Sequence, residues 1–320
     1  MTDTITRTAG IDTGKKHLTL GFWPRGERYT VENTPEGIAK LAKILKKAGV
    51  RRVGIESTSI YHFAATEALR AEGFEVAVLQ PGQVKAFGKL QRVKSKRDLT
   101  DCELVAGAAA GQDCVYPAQS PEIAALAEHL TYLEQCEENC ACLKTQLVRY
   151  RDPLLIAKKK KEIAHARLLI RTEIKELTAK VKLVPGQAKR LALALSVEGV
   201  GLRTALCALI RMPELGSLGR GKAASLLGVA PFDDSSEDYE GVRHIEGGRS
   251  RARKAFFLAA FSGALHHNPL LKAFYRRLTG NGKPHTLAVI ACTRKLVIIL
   301  DAIFKRGTPW EKHRGIQCPA

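Results

Sequence analysis

The chain has 320 residues, 45% of them hydrophobic, with 51 Lys+Arg against 32 Asp+Glu and a formal net charge of +19. That length predicts two or three domains with ample core. The charge is a statement about partners rather than fold, with nucleic acid first and a membrane surface second. No apolar run of about 18 residues and no signal-peptide pattern occurs, so the expectation is a soluble cytoplasmic protein without membrane contact.

Thr8–Asp12 (TAGID) reads as a strand ending at an acid, and Leu18–Trp23 and Glu27–Glu32 read as two strands that follow it. Pro35 opens a helix with Ile38, Leu41, Ile44 and Leu45 on one face. Arg52–Glu56 is a short buried strand, again ending at an acid, Thr58–Glu72 is helical, and Phe74–Leu79 is a strand closed by Pro81. Three opening strands followed by alternating helices and strands predict an α/β domain with a mixed sheet over 1–117.

Val84–Arg97 reads as a basic loop with six cations, Lys85, Lys89, Arg92, Lys94, Lys96 and Arg97, and no acid. These are candidate nucleic-acid contacts. Directly after them stand Asp98 and Asp101, three residues apart, so a helix would project both from one face. Their plain structural reading is an acidic first turn complementing a helix dipole. Asp12 and Glu56 alter that reading. If the two strands are neighbours, their terminal carboxylates sit together, and the helix can bring Asp98 and Asp101 across the same edge. Four clustered carboxylates repel one another and need cations or shared protons. Magnesium or manganese with oxygen ligands is the natural occupant. A pair of such ions about 4 Å apart suits phosphoryl transfer.

Beyond Pro117 the composition shifts. Ile123, Leu126, Leu130, Leu133, Cys140, Leu143 and Leu147 recur at helical spacing, Pro153 interrupts, and Ile163, Ile170, Ile174, Leu177, Val181 and Val184 follow a heptad grid. This predicts an antiparallel coiled-coil hairpin over 118–184, or part of a dimer seam. Lys158–Lys161 is a solvated charge run or a phosphate contact. Among the eight cysteines, Cys136, Cys140 and Cys142 cluster without paired C-x-x-C spacing, so free thiols are expected rather than a zinc site.

Pro185-Gly186 marks a linker to a third domain, 185–320. There the G-V-G at 199–201 resembles a helix-hairpin-helix turn whose backbone N–H groups can hold a phosphate. An ordinary helix–turn–helix corner is the alternative. Leu215–Phe232 adds a helix and a turn, Ser235–Ser250 is an exposed loop or hairpin, and Arg251–His266 and Thr286–Phe304 are long helices. His62, His266, His267 and Tyr275 fit structural roles, and no His/Arg constellation suits Tyr275 as a nucleophile.

The order Asp, Glu, Asp-x-x-Asp after three strands resembles the RNase H-like fold of RuvC-type resolvases. The words G-I-D-T-G-K-K at 10–16, I-E-S-T-S-I-Y at 55–61 and D-L-T-D at 98–101 are similar to those of DEDD insertion-sequence transposases related to the Piv and MooV DNA invertases. The second half agrees in order. It has V-E-G-V-G at 197–201, A-A-S-L-L-G-V-A-P at 223–231, N-P at 268–269, Y-R-R-L at 275–278, G-K at 282–283 and R-K-L at 294–296.

The resemblance implies an RNase H-like domain, a coiled coil and a mainly α C-terminal domain with a catalytic serine. It implies recombination of donor and target DNA guided by a structured bridge RNA, at the bacterial nucleoid. It also implies dimers assembling to a tetramer, where the metal-bound Asp12, Glu56, Asp98 and Asp101 of one subunit meet the serine of another. The family serine stands five residues after the proline of the A-P word, which gives Ser236, although Glu237 replaces the usual glycine. Ser235 is the adjacent alternative. Arg243, Arg249, Arg251 and Arg253 lie nearby in sequence as candidate nucleic-acid contacts. The competing readings are a hydrolytic junction nuclease, an inactive nucleic-acid-binding remnant, and an actin-like sugar kinase suggested by GIDTGKKH, which lacks a second phosphate loop.

Overall fold

A computed structural model describes residues 7–24, 26–57, 60–92, 101–112, 121–232 and 244–310. It divides into two compact units, Met1–Ala118 and Gln119–Ala320.

In the first unit, β1 (Thr8–Thr13), β2 (His17–Trp23), β3 (Tyr29–Glu32), β4 (Arg52–Glu56) and β5 (Glu75–Leu79) form one sheet of order β3-β2-β1-β4-β5. β1, β2 and β3 pair antiparallel, while β4 lies parallel to β1 and β5 parallel to β4. The mixed α/β sheet expected from three opening strands is therefore present. Alternation divides its two faces. Ala9, Ile11, Val53 and Ile55 point into a core with Ile38, Leu41 and Leu45 of α1 (Pro35–Lys47) and Leu69 of α2 (Phe63–Ala71). α1 starts where expected because Pro35 occupies its first turn and the Gly37 N–H donates to Thr34 Oγ1 at 3.2 Å. On the opposite face, Ala77 and Leu79 pack with Val84, Val105 and Ala109.

Two expectations change here. Helix α2 begins at Phe63 rather than Thr58, and Thr58 itself lies outside the described residues. Pro81 does not merely close a strand: it opens α3 (Pro81–Leu90), and the Gln80 N–H donates to the Gln83 side chain at 2.9 Å. Lys85 and Lys89 thus stand on a helix, not in a loop, because Val84 and Gly88 bury one side of that turn.

The second unit opens with two long helices, α5 (Pro121–Leu147) and α6 (Pro153–Leu183), packed along each other. Asp152 starts α6 by accepting the Leu154 N–H at 2.8 Å. Ile123, Leu126, Leu130 and Leu133 of α5, with Leu177 and Val181 of α6, join a single core with α7 (Gln187–Leu195), α8 (Leu202–Arg211), α9 (Arg220–Leu227), α10 (Ser250–Ser262) and α12 (His285–Arg306). A π-helical turn, Gly263–His267, follows α10, and α11 (Pro269–Gly280) lies between it and α12. Strands β6 (Pro231–Phe232) and β7 (His244–Ile245) pair antiparallel.

Packing explains the first glycine of the G-V-G turn, while a β-carbon at Gly201 would meet open space. Gly199 has φ +91°, and a β-carbon there would stand 2.7 Å from the Gly263 Cα. Buried Asn268 donates to the Glu198 carbonyl at 2.9 Å while its Oδ1 accepts from Leu270 and Leu271 N–H, each at 3.1 Å. The N-P word caps α11 and anchors the V-E-G-V-G word in one stroke. Cys102, Cys136, Cys140, Cys142, Cys207 and Cys292 are free thiols, as expected. Burial pushes Cys207 and Cys292 up to about 11, which leaves them inert. No helix among the described residues is long and apolar enough to cross a membrane.

Candidate active site

Three glycines place the acids. Gly21 of β2, Gly10 of β1 and Gly54 of β4 are register partners, forming a row across the sheet that Ala77 of β5 continues. Helix α4 (Asp101–Ala110) lies on this row. A β-carbon at residue 10 would meet the Ala106 nitrogen and the Cys102 carbonyl oxygen, both at 2.2 Å, and one at residue 54 would meet the Val105 oxygen at 2.8 Å. Backbone thus rests on backbone, closer than any side chain allows.

Asp12 and Glu56 lie two residues beyond Gly10 and Gly54, on the same face. Ile11 pairs with Ile55, so the two acids follow at one level on adjacent parallel strands. Thr13 Oγ1 donates to the Glu56 carbonyl at 3.3 Å, and Asn33 donates to the Gly14 and Tyr61 carbonyls at 3.0 and 3.1 Å. The turns bordering the acids are laced together. Asp101, in the first turn of α4, completes the group. Burial, then the charges of Asp12 and Asp101, raise the Glu56 carboxyl above its ordinary value. That mutual repulsion places three of the four expected acids within electrostatic reach of one another. Asp98 lies outside the described residues.

Glu103, two residues after Asp101, was not singled out by sequence. It is 2% exposed and pairs with Arg28 at 3.1 Å, above Gly21. A glutamate in the otherwise apolar run C-E-L-V-A-G-A-A-A was the available signal. His62 is buried and packs on Phe63 with ring centroids 4.4 Å apart, and its carbonyl accepts from Thr66 Oγ1 at 2.8 Å, consistent with the packing role expected of it.

Lys85, Lys89 and Arg92 are exposed along and just after α3. Lys94, Lys96 and Arg97 lie outside the described residues, as do Ser235, Ser236, Glu237 and Arg243. The β6–β7 pairing sets Phe232 opposite His244, the described residues that flank 233–243 in the sequence.

The other arginines have internal tasks. Arg249 forks onto Glu214 at 2.6 and 2.7 Å and donates to the Arg211 carbonyl at 2.5 Å. Arg253 donates to the Gly228 and Gly247 carbonyls at 3.1 and 2.6 Å. Arg251 reaches Glu134 at 3.1 Å but stays half exposed. Both Arg249 and Arg253 therefore brace the base of β6–β7, because their guanidiniums find carboxylate and carbonyl acceptors within the unit. Glu134 also binds Arg211 at 2.6 Å and Arg203 at 3.2 Å. Burial alone would push its carboxyl up; the Arg211 and Arg203 guanidiniums overcome that and hold it below its ordinary value.

Family models match both units: a DEDD transposase model over residues 9–150, and the model described as "Transposase IS116/IS110/IS902 family" over residues 191–276. The chain belongs to the IS110-type transposases. An IS110 insertion-element protein of Streptomyces coelicolor is 32% identical over 118 residues, covering 36% of this chain and 29% of that protein. The matched stretch is thus under a third of that relative's length. Pilin gene-inverting proteins of Moraxella bovis and Moraxella lacunata are each 25% identical over 320 and 323 residues, covering 95% of this chain and 97% of theirs. Among solved structures, T. thermophilus RuvC in complex with a Holliday junction substrate is similar at 20% identity, covering 36% of this transposase and 84% of that chain with a TM-score of 0.23.

Proposed function

We propose that this transposase cuts DNA at the Asp12–Glu56–Asp101 edge and rejoins it through a serine-linked intermediate, with Asp98 as the fourth acid and Ser236 as the nucleophile. The observation that carries the reading is the convergence of three carboxylates, with Glu56 raised by burial and by its two acidic neighbours. Such a cluster fits a divalent cation, since oxygen donors of like charge attract one and are relieved by it.

Asp12, Glu56, Asp98 and Asp101 would hold magnesium or manganese, which supplies positive charge at the scissile phosphate. The remaining chemistry belongs to the chain. The Ser236 Oγ forms a bond to phosphorus and gives up its proton, one strand P–O bond breaks, and the departing DNA oxygen takes up a proton in its place, so that no net proton is gained or lost. Attack by a hydroxyl of the new DNA partner reverses the exchange and frees the serine. The phosphodiester energy is conserved in the serine link, whereas hydrolysis discards it. Lys85, Lys89, Arg92, Lys94, Lys96 and Arg97 bind phosphate backbones and position rather than select sequence.

Guidance by a structured bridge RNA, and a tetramer in which the acids of one subunit meet the serine of another, rest on the resemblance and on the +19 charge. The coiled-coil role of 118–184 rests on the heptad spacing of its apolar residues, the domain limits 1–117 and 185–320 on the composition shift after Pro117 and the Pro185-Gly186 linker signal, and action at the nucleoid on the resemblance.

The test is to quench magnesium-dependent cleavage in denaturant and map any protein–DNA adduct by mass spectrometry. An adduct on Ser236 supports the reading, and one on Ser235 moves the nucleophile by a residue. Cut ends with no adduct at any time point would replace it with a hydrolytic junction nuclease.

A further inference from the structure

Far along the chain from the acid cluster, a second group of ligating side chains joins α5 to α6. His129 of α5 and Glu173 and Glu176 of α6 bring one ring nitrogen and two carboxylate oxygens within 4.8 Å of one another. His129 and Glu173 are nearly enclosed, at 11% and 15% side-chain exposure, while Glu176 opens to solvent. Glu173 and Glu176 are three residues apart, so they share a helix face, and His129 approaches from the facing helix.

The protons in this group can be assigned. Lys180 Nζ lies 3.2 Å from His129 Nδ1, and Glu173 Oε2 lies 2.8 Å from Nε2. An ammonium only donates, so Nδ1 accepts, and the ring proton sits on Nε2 and is donated to Glu173. The singly protonated ring is neutral, so within this group the two carboxylate charges are met by the exposed Lys180 ammonium alone. A dication would neutralise both carboxylates.

We propose that the α5–α6 hairpin carries a cation site separate from the DNA-cutting acids, formed by His129, Glu173 and Glu176, with Lys180 as its built-in competitor. The donor set selects the ion. Imidazole with carboxylates suits zinc, cobalt or nickel, whereas magnesium favours oxygen alone. Three protein ligands leave the fourth tetrahedral position to water or a ligand. Bonds of about 2.0–2.1 Å set tetrahedral ligand atoms about 3.4 Å apart, so the His129–Glu173 contact must open by roughly half an ångström as the ion replaces the proton. The ring proton then moves to Nδ1, where Lys180 can no longer donate. Lys180 stands one turn beyond Glu176 on an exposed position and can swing out. Occupancy would cross-link the two helices next to Leu130, Leu133 and Leu177, at the point where the hairpin enters the core of the second unit.

The test uses the full chain with Cys142→Ser, which removes the one exposed thiol among the described residues, and with Cys114→Ser and Cys318→Ser, which lie outside them, in saturating magnesium to fill the oxygen site. Cobalt(II) is titrated and followed by its visible d–d bands and by calorimetry. The proposal expects one cobalt per chain, displaced by zinc, without a thiolate charge-transfer band. Glu176→Gln, exposed and harmless to the fold, weakens binding by at least about tenfold, and His129→Ala abolishes it. Lys180→Ala tightens it several-fold. The proposal is overturned if no cobalt binds at millimolar concentration, or if Glu176→Gln and His129→Ala bind as the parent does. It is equally overturned if Lys180→Ala weakens binding, which would make the group a polar clamp in which the lysine is a required partner.

Discussion

Gly10 lies so close beneath Ala106 that a β-carbon on residue 10 would stand 2.2 Å from the Ala106 nitrogen. This contact sets the height of α4 above the sheet, and so the position of Asp101 relative to Asp12 and Glu56. Both atoms it would strike belong to backbone, which cannot rotate away. Gly10→Ala is expected to destabilise the first unit by roughly 1–3 kcal/mol as overpacking, and to reduce cleavage even where the protein remains folded. Gly49→Ala is the control: that residue has open space around it, and with φ +66° it carries conformational strain alone. Denaturant unfolding of both variants, read alongside cleavage, checks the difference.

The raised Glu56 carboxyl has a signed consequence. The folded state holds the Glu56 proton more tightly than the unfolded chain does, so stability falls as pH rises from the unfolded glutamate value through the raised folded value. Carboxylates held by arginines, such as Glu134 and Glu214, slope the opposite way and lose stability as pH falls. The Glu56 share is therefore isolated as a difference. Without divalent ions, the stability gap between Glu56→Gln and the parent should widen in favour of the variant as pH rises through this window. Adding manganese should reverse the gap. A gap independent of pH would contradict the electrostatic clustering.

Glu134 gathers Arg203, Arg211 and Arg251 from α8 and α10 onto α5. Removing one partner of a buried pair leaves the others uncompensated, at a cost of roughly 3–5 kcal/mol. Glu134→Ala should fall in that range in urea unfolding. Arg251→Ala should cost far less, since Arg251 is half exposed and Arg211 and Arg203 still pair with the acid.

Nucleic-acid affinity should depend steeply on salt. Each duplex phosphate contact contributes about 0.9 to the log–log slope. Charge reversal at Lys85 and Lys89, both exposed on α3, should flatten the slope and weaken binding alike across unrelated sequences. Arg249→Glu should act mainly by unfolding the base of β6–β7, because its guanidinium is held by Glu214. Filter binding over a salt series, with melting curves of the same variants, separates the two effects.

Much of the site was legible because strands and acids follow local rules. Asp12 and Glu56 each end an apolar run, and parallel neighbouring strands then bring them level. The glycine row was hidden. Gly10, Gly21 and Gly54 are scattered along the chain, and only strand register aligns them under α4. Helix α3 was missed because Pro81 reads equally as a strand stop and a helix start, and the decision lies in one Gln83 side-chain hydrogen bond. Helix α11 was missed because its N-P start is also a loop signal, and the Asn268 cap that resolves it depends on Glu198, 70 residues away. Glu103 was not singled out because the partner that holds it in the core, Arg28, lies 75 residues away in the sequence. Arg249 and Arg253 read as candidate nucleic-acid contacts because their acceptors, Glu214 and two glycine carbonyls, are distant in sequence or carry no side chain.

The most direct measurement is manganese binding by the full chain, read by electron paramagnetic resonance, for the parent and for Asp12→Asn, Glu56→Gln and Asp101→Asn, with strand cleavage scored on the same preparations. These isosteric changes remove charge while keeping shape. The account predicts that each variant loses manganese affinity and cleavage together, while nucleic-acid binding persists. Parent-level manganese binding and normal cleavage by Asp101→Asn would contradict it, since the first turn of α4 would then contribute nothing to the edge where Asp12 and Glu56 meet.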